Sequence, residues 1–189
     1  TFTLIAILIT ILLILLNGIF VAVEFAVVTS KKSKMQALAE TGDRSARMAL
    51  DLMKNLPLSI SGAQLGITVT SLGLGLVAEP AFAKVIEHFI TEPLGMPKAL
   101  SHAIAFGFAL FIVVFMHMVI GEMVPKNLAL TTPETVLCKV ARPHRSFVIL
   151  FRPVIWFLNK VSSLLLKPFG IDQIDDCLLY TSDAADDRG

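Results

Sequence analysis

The stretch FTLIAILITILLILLNGIFVAVEFAVV, residues 2–28, decides the fold. Past its first turn it is apolar except for Thr10, Asn17 and Glu24. A helix crosses the hydrocarbon core of a bilayer in about 20 apolar residues, so this segment reads as a transmembrane helix. It has no basic leading region and no small-residue cleavage site, which sets it apart from a signal peptide. The chain starts at Thr1, within the span, and leading residues are expected to be missing.

Two more apolar blocks follow. The second runs from about Leu58 to Val77, with Glu79-Pro80 predicted to end it and Ala81–Ile90 predicted as a short outer helix. The third runs from about Ala99 to Ile120 and ends in Gly121-Glu122-Met123-Val124-Pro125-Lys126. Between the first two blocks, Ser33–Glu40 and Asp43–Asn55 have helix-forming composition, divided by Thr41-Gly42, with Ser33 and Asp43 as candidate N-caps. The stretch Pro133–Leu166 is apolar but broken by Arg142, Arg145, Arg152 and Lys160. A central Arg or Lys costs a span about 2.5–3.5 kcal/mol, so an amphipathic helix in the cytoplasmic interface fits better. The expected fold class is an all-α membrane protein: three transmembrane helices, short cytoplasmic helices and one amphipathic juxtamembrane helix. Its 189 residues, 55% hydrophobic, suit one membrane domain.

The formal net charge of +1 leaves no dominant basic face and argues against a nucleic-acid partner. Lys31, Lys32, Lys34, Arg44, Arg47 and Lys54 lie between blocks one and two, but only Lys84 and Lys98 between blocks two and three. The positive-inside rule then puts the N-terminus outside and the C-terminus in the cytoplasm. Cys138 and Cys177 form no CxxC pair and no metal cluster. The run from Cys177 to Asp186 reads as translated sequencing-adapter DNA. Residues 1–170 are therefore expected to be the membrane domain, 171–176 the start of a linker and 177–189 an artefact on a truncated chain.

Polar groups inside a membrane helix are expensive and draw functional suspicion. Asn17 and Glu24 stand two turns apart on one face of the first block. Glu24 fits a functional carboxylate, or one that snorkels to the interface. On the second block Ser61, Gln64, Thr68, Ser71 and Gly75 recur at helical spacing, as an ion-lining stripe or a packing seam. Gly62 and Gly66 form a GxxxG that admits a close helix neighbour. The sharpest set is Gly121-Glu122-x-x-Pro125-Lys126. A helical proline gives no hydrogen bond to the carbonyl four residues back. The Gly121 carbonyl is thus left beside the Glu122 carboxylate, and hard cations such as Mg²⁺ prefer oxygen ligands. The plainer alternative is a proline-terminated helix with Lys126 at the headgroups. His117 reads as a hydrogen-bonding core residue. No Ser-His-Asp pattern, HExxH or phosphate loop is present, and an enzyme is not expected.

Four motifs resemble one family. They are Leu16-Asn17-Gly18-x-Phe20-Val21-Ala22-x-Glu24-Phe25-Ala26, Leu58-Ser59-x-Ser61-Gly62-Ala63-Gln64-Leu65-Gly66-Ile67-Thr68, Gly75-x-x-x-Glu79-Pro80, and His117-x-Val119-x-Gly121-Glu122-x-Val124-Pro125-Lys126. Over about Leu12 to Leu166 the chain resembles the transmembrane domain of the CNNM/CorC family, whose bacterial members are often labelled hemolysin-C-like. The resemblance implies a homodimer of three-span protomers in the bacterial plasma membrane. It implies Mg²⁺ export, with Na⁺ as a coupling ion. It also implies a following pair of CBS domains that bind ATP, absent from this chain.

The resemblance places the cation site at Gly121 and Glu122, with Gly66 and Ser61 from the second helix. Two positions depart from the pattern: Ile67 stands where many relatives have Asn, and Ala22 or Val23 where they have Ser. Gln64 or Thr68 then supplies oxygen, with Glu24 as a charge near the cavity or a ligand in another state. Asn17, Gly62, Pro125 and Lys126 are structural in this scheme. The alternative function is a non-transporting membrane anchor or regulator whose missing CBS domains sense nucleotides. A pore-forming toxin, suggested by the hemolysin label, fits the resident-membrane pattern less well.

Overall fold

The computed structural model describes residues 2–171. The linker from residue 172 onward and the suspect tail, Cys177 included, lie outside the described residues. Seven α-helices make up the architecture: α1 Phe2–Thr29, α2 Lys32–Glu40, α3 Arg44–Lys54, α4 Leu56–Ile86, α5 Lys98–Met116, α6 Val124–Thr131 and α7 Pro133–Leu166. Two π-helical segments, Glu87–Thr91 and His117–Met123, extend α4 and join α5 to α6. The described residues contain no strand.

Four helical stretches are long and apolar enough to cross a membrane: Phe2–Thr29, Leu56–Ile90, Lys98–Thr131 and Pro133–Phe169. The first three match the three predicted spans. The fourth is the stretch read as an amphipathic helix, and it is one continuous helix with Pro143 and Pro153 inside it. It is the least enclosed, with 11% of its most apolar window buried against 33% for α1.

Three local expectations are corrected. Pro80 does not end the second span but sits inside α4, and the predicted outer helix continues it. Neighbouring helices and local widening let membrane helices absorb a proline. Pro125 likewise ends nothing: the π-helical turn before it widens the backbone, and the chain runs on into α6. Ser33 is not a cap, because α2 begins one residue earlier and Lys31 takes the cap position. Asp43 does cap α3, accepting from the Ser45 and Ala46 amides at 2.8 and 3.4 Å. Gly42 before it has φ +95°, a left-handed turn that only glycine adopts cheaply.

Small residues bring the helices together. At one end Ala26, Ala46, Ala49, Ala129 and Ala141 gather the ends of α1 and α6, helix α3 and the first half of α7, with Met35 and Leu137 filling between them. At the other, Ala83, Ile86, Ala105 and Ala109 zip α4 to α5. Between these layers Ile14, Leu74, Ala78 and Val113 close the middle. Gly66 is the tightest approach: a Cβ there would lie 2.5 Å from the Phe20 ring. Phe20 cannot retreat, since its ring packs edge-on to Phe147 at 4.7 Å and to the buried His144 at 6.1 Å. Gly66→Val is expected to destabilise the protein by about 3 kcal/mol, the upper end for overpacking a filled core. A melting curve of the detergent-solubilised variant reads this, and an unchanged midpoint would contradict the packing described.

Candidate functional site

Asn17 lies at the centre of α1 and is fully buried. Its amide must find partners, because a buried polar group without them costs about 1–3 kcal/mol. Nδ2 donates to the Gly121 carbonyl at 2.9 Å. Oδ1 accepts from the Thr70 hydroxyl at 2.9 Å and lies 3.3 Å from the Ser71 hydroxyl. Ser71 Oγ is in turn 3.4 Å from His117 Nε2. That same nitrogen is 3.7 Å from Glu122 Oε1. One polar seam thus runs through α1, α4 and the π-helical turn His117–Met123. Its inner end is buried, and at its outer end the Glu122 side chain is 42% exposed.

Glycine makes this seam possible. A Cβ on Gly121 would meet His117 Cδ2 at 3.0 Å and Asn17 Nδ2 at 3.2 Å, pushing the amide off the carbonyl. A Cβ on Gly18 would meet Pro125 Cγ at 3.0 Å. The pair Asn17-Gly18 therefore docks on Gly121 and Pro125, one residue bonding and the next giving room. The proline explains the bond. Pro125 has no N–H to offer the carbonyl four residues earlier, and Asn17 supplies one from another helix. The Gly121 carbonyl expected to be open is therefore already hydrogen-bonded. A π-helical turn at this point is a frequent mark of a functional site.

The other predicted residues fall in different places. Ser61 donates to Asn159 Oδ1 of α7 at 2.8 Å, away from the seam. Thr68 is exposed and bonds back to the Gln64 carbonyl of its own helix at 2.9 Å. Gln64 is exposed too. Gly66 and Gly62 are buried packing positions, Gly62 against Val148 of α7. Glu24 is half-buried two turns below Asn17 and has no hydrogen bond or ion pair to the seam. Ala22 and Val23 are buried, and Ile67 is partly so. Lys126 Nζ lies 4.9 Å from the centre of the Phe25 ring, a cation–π contact. Among the described residues, no three His, Cys, Asp or Glu side chains converge as metal ligands.

Thr70 is the functional-looking residue that sequence reasoning passed over. It sits one residue off the chosen stripe, and its signal was its spacing of four from Gly66. The buried face of α4 runs through Ser59, Gly62, Gly66, Thr70, Leu74 and Ala78.

Comparison with known proteins adds a family context. The family model described as Cyclin M transmembrane N-terminal domain matches residues 8–185. The UPF0053 protein YhdT of Bacillus subtilis is 41% identical over 84% of this chain and 34% of its own length. An uncharacterized protein of Mycobacterium tuberculosis is 38% identical over 95% of this chain and 50% of its own. The UPF0053 protein YugS of Bacillus subtilis is 38% identical over 87% of this chain and 38% of its own. The chain thus spans a third to a half of the length of these relatives. With the candidate spans, the match makes it a multi-pass membrane protein.

Proposed function

The chain belongs to the CNNM family of membrane domains, and from that membership we propose that it is the ion-conducting part of a divalent-cation exporter whose cargo is Mg²⁺. The observation that carries this reading is the seam from Asn17 to Glu122. A carboxylate at the mouth of a buried row of hydroxyl, amide and imidazole groups is unusual chemistry for a membrane helix core. Mg²⁺ is a hard cation that sheds water reluctantly and is held by one or two carboxylates while keeping several waters. A single Glu122 with neighbouring oxygens suits such a partly hydrated ion.

In this proposal the N-terminus faces outward, the C-terminus and helices α2 and α3 are cytoplasmic, and the membrane is the bacterial plasma membrane. Sodium entry is the proposed coupling, and any ATP dependence resides in the longer relatives' additional length. Two copies pair in the membrane. The outward-facing Gln64 supports this pairing, since an amide in the middle of a span is costly against lipid. A facing protomer or a water-filled cavity between protomers relieves that cost.

One observation favours the reading of a non-transporting anchor: the Gly121 carbonyl is already occupied by Asn17. The two readings separate by ligand-linked stability. For the exporter, Mg²⁺ at a hundred times its dissociation constant is expected to raise unfolding free energy by about 2.7 kcal/mol. Na⁺ at equal ionic strength is expected to give a smaller shift, and the Mg²⁺ shift is expected to vanish in Glu122→Gln. No Mg²⁺ shift in the wild type, or an equal one in the variant, sinks the cation site.

A further inference from the structure

A groove of about 480 Å³ lies between α3 and α7. Arg44, Arg47, Asp51 and Lys54 line it at spacings of three, four and three, which is one face of α3. Arg145 of α7 forms the facing wall. Its guanidinium lies 3.5 Å from the Asp51 carboxylate and neutralises the groove's one acid. Arg44, Arg47 and Lys54 are exposed and have no ion pair among the described residues. Three uncompensated cations therefore point into one concave surface, above the partly buried Met48 and Leu50.

The depth of the groove identifies the anion. Lys54 stands two residues before Leu56, where the second span begins. The groove is thus level with the headgroups at the end of the membrane that carries most of the flanking Lys and Arg. We propose that it binds the phosphate-bearing headgroup of an anionic phospholipid, with Arg44, Arg47 and Lys54 on the phosphate and Met48 and Leu50 under the glycerol and first methylenes. Guanidinium forks match phosphate oxygens in pairs. Such a lipid would pin α3 to α7 through the same groove that the Asp51–Arg145 pair already bridges.

The test is lipid binding to the purified, delipidated protein, read by native mass spectrometry. Phosphatidylglycerol is titrated against phosphatidylcholine, with inorganic phosphate as a soluble competitor. Phosphatidylglycerol is expected to bind more tightly, losing about fivefold for each of Arg44→Gln, Arg47→Gln and Lys54→Gln, equivalent to about 1 kcal/mol per cation at an anionic surface. Arg44→Lys is expected to keep most of the preference. Should an arginine variant not fold, Lys54→Gln alone carries the comparison, because its side chain is exposed. Equal binding of the two lipids, or an unchanged preference in Lys54→Gln, overturns the proposal. Displacement of phosphatidylglycerol by millimolar inorganic phosphate overturns the lipid source and leaves a free-phosphate site.

Discussion

Glu122→Gln is expected to abolish Mg²⁺ tolerance in an exporter-deficient bacterium carrying this membrane domain joined to a relative's cytoplasmic region. The size of the effect follows from charge. Two unit charges about 4 Å apart attract by about 4 kcal/mol at an effective dielectric of 20, and a divalent ion roughly doubles that. Glu122 is 42% exposed, so water screens the interaction. Keeping only half of it still leaves about 4 kcal/mol, close to a thousandfold in ion occupancy. Glutamine keeps the shape and one oxygen but not the charge, so folding is expected to survive. Full tolerance in a well-expressed Glu122→Gln strain would remove Glu122 from the ion path.

Asn17→Leu is expected to lower stability by taking the seam apart. Leucine fills similar space but strands the Gly121 carbonyl, which Pro125 cannot serve, and takes the acceptor from the Thr70 and Ser71 hydroxyls. Thr70 recovers a bond to the Gly66 carbonyl, 2.8 Å away, so its loss is small. The carbonyl has no such refuge. Leaving it buried costs about 1–3 kcal/mol, and hydrogen bonds between membrane helices average about 0.6 kcal/mol each. A loss of about 2–3 kcal/mol is expected, read as a lower melting midpoint in detergent. Asn17→Asp is expected to fail as well at neutral pH, because an ionised carboxylate cannot donate to the carbonyl and burying the neutral acid first costs its protonation. Wild-type stability in either variant would show that the seam is not what joins α1 to the π-helical turn.

Much of the fold was legible because long apolar runs leave few choices in a bilayer. The bounds of α1, the Asp43 cap and the Gly42 turn all follow from local chemistry. The four-residue reach of Pro125 singled out the Gly121 carbonyl. Its partner, 104 residues away in sequence, was not legible, although Asn17 itself was. The register of α4 stayed open in the sequence for a physical reason. Its small and hydroxyl residues occupy two stripes one residue apart, Ser61-Gln64-Thr68-Ser71 and Gly62-Gly66-Thr70, each with helical period. Only packing against Phe20 and Asn17 selects the second as the buried face, with Ser71 at its edge. The prolines misled in the same direction, because Pro80 and Pro125 would stop a helix in water but not one held by neighbours in lipid.

The most direct measurement is Mg²⁺ flux through purified protein in proteoliposomes, followed with a trapped Mg²⁺-sensitive dye. The wild-type chimera and Glu122→Gln are reconstituted at equal, folded density beside protein-free vesicles. If the seam conducts cations, the wild type moves Mg²⁺ well above the protein-free leak and Glu122→Gln falls to that leak. Equal flux in the two proteins, or no flux above leak in a folded wild type, would contradict it.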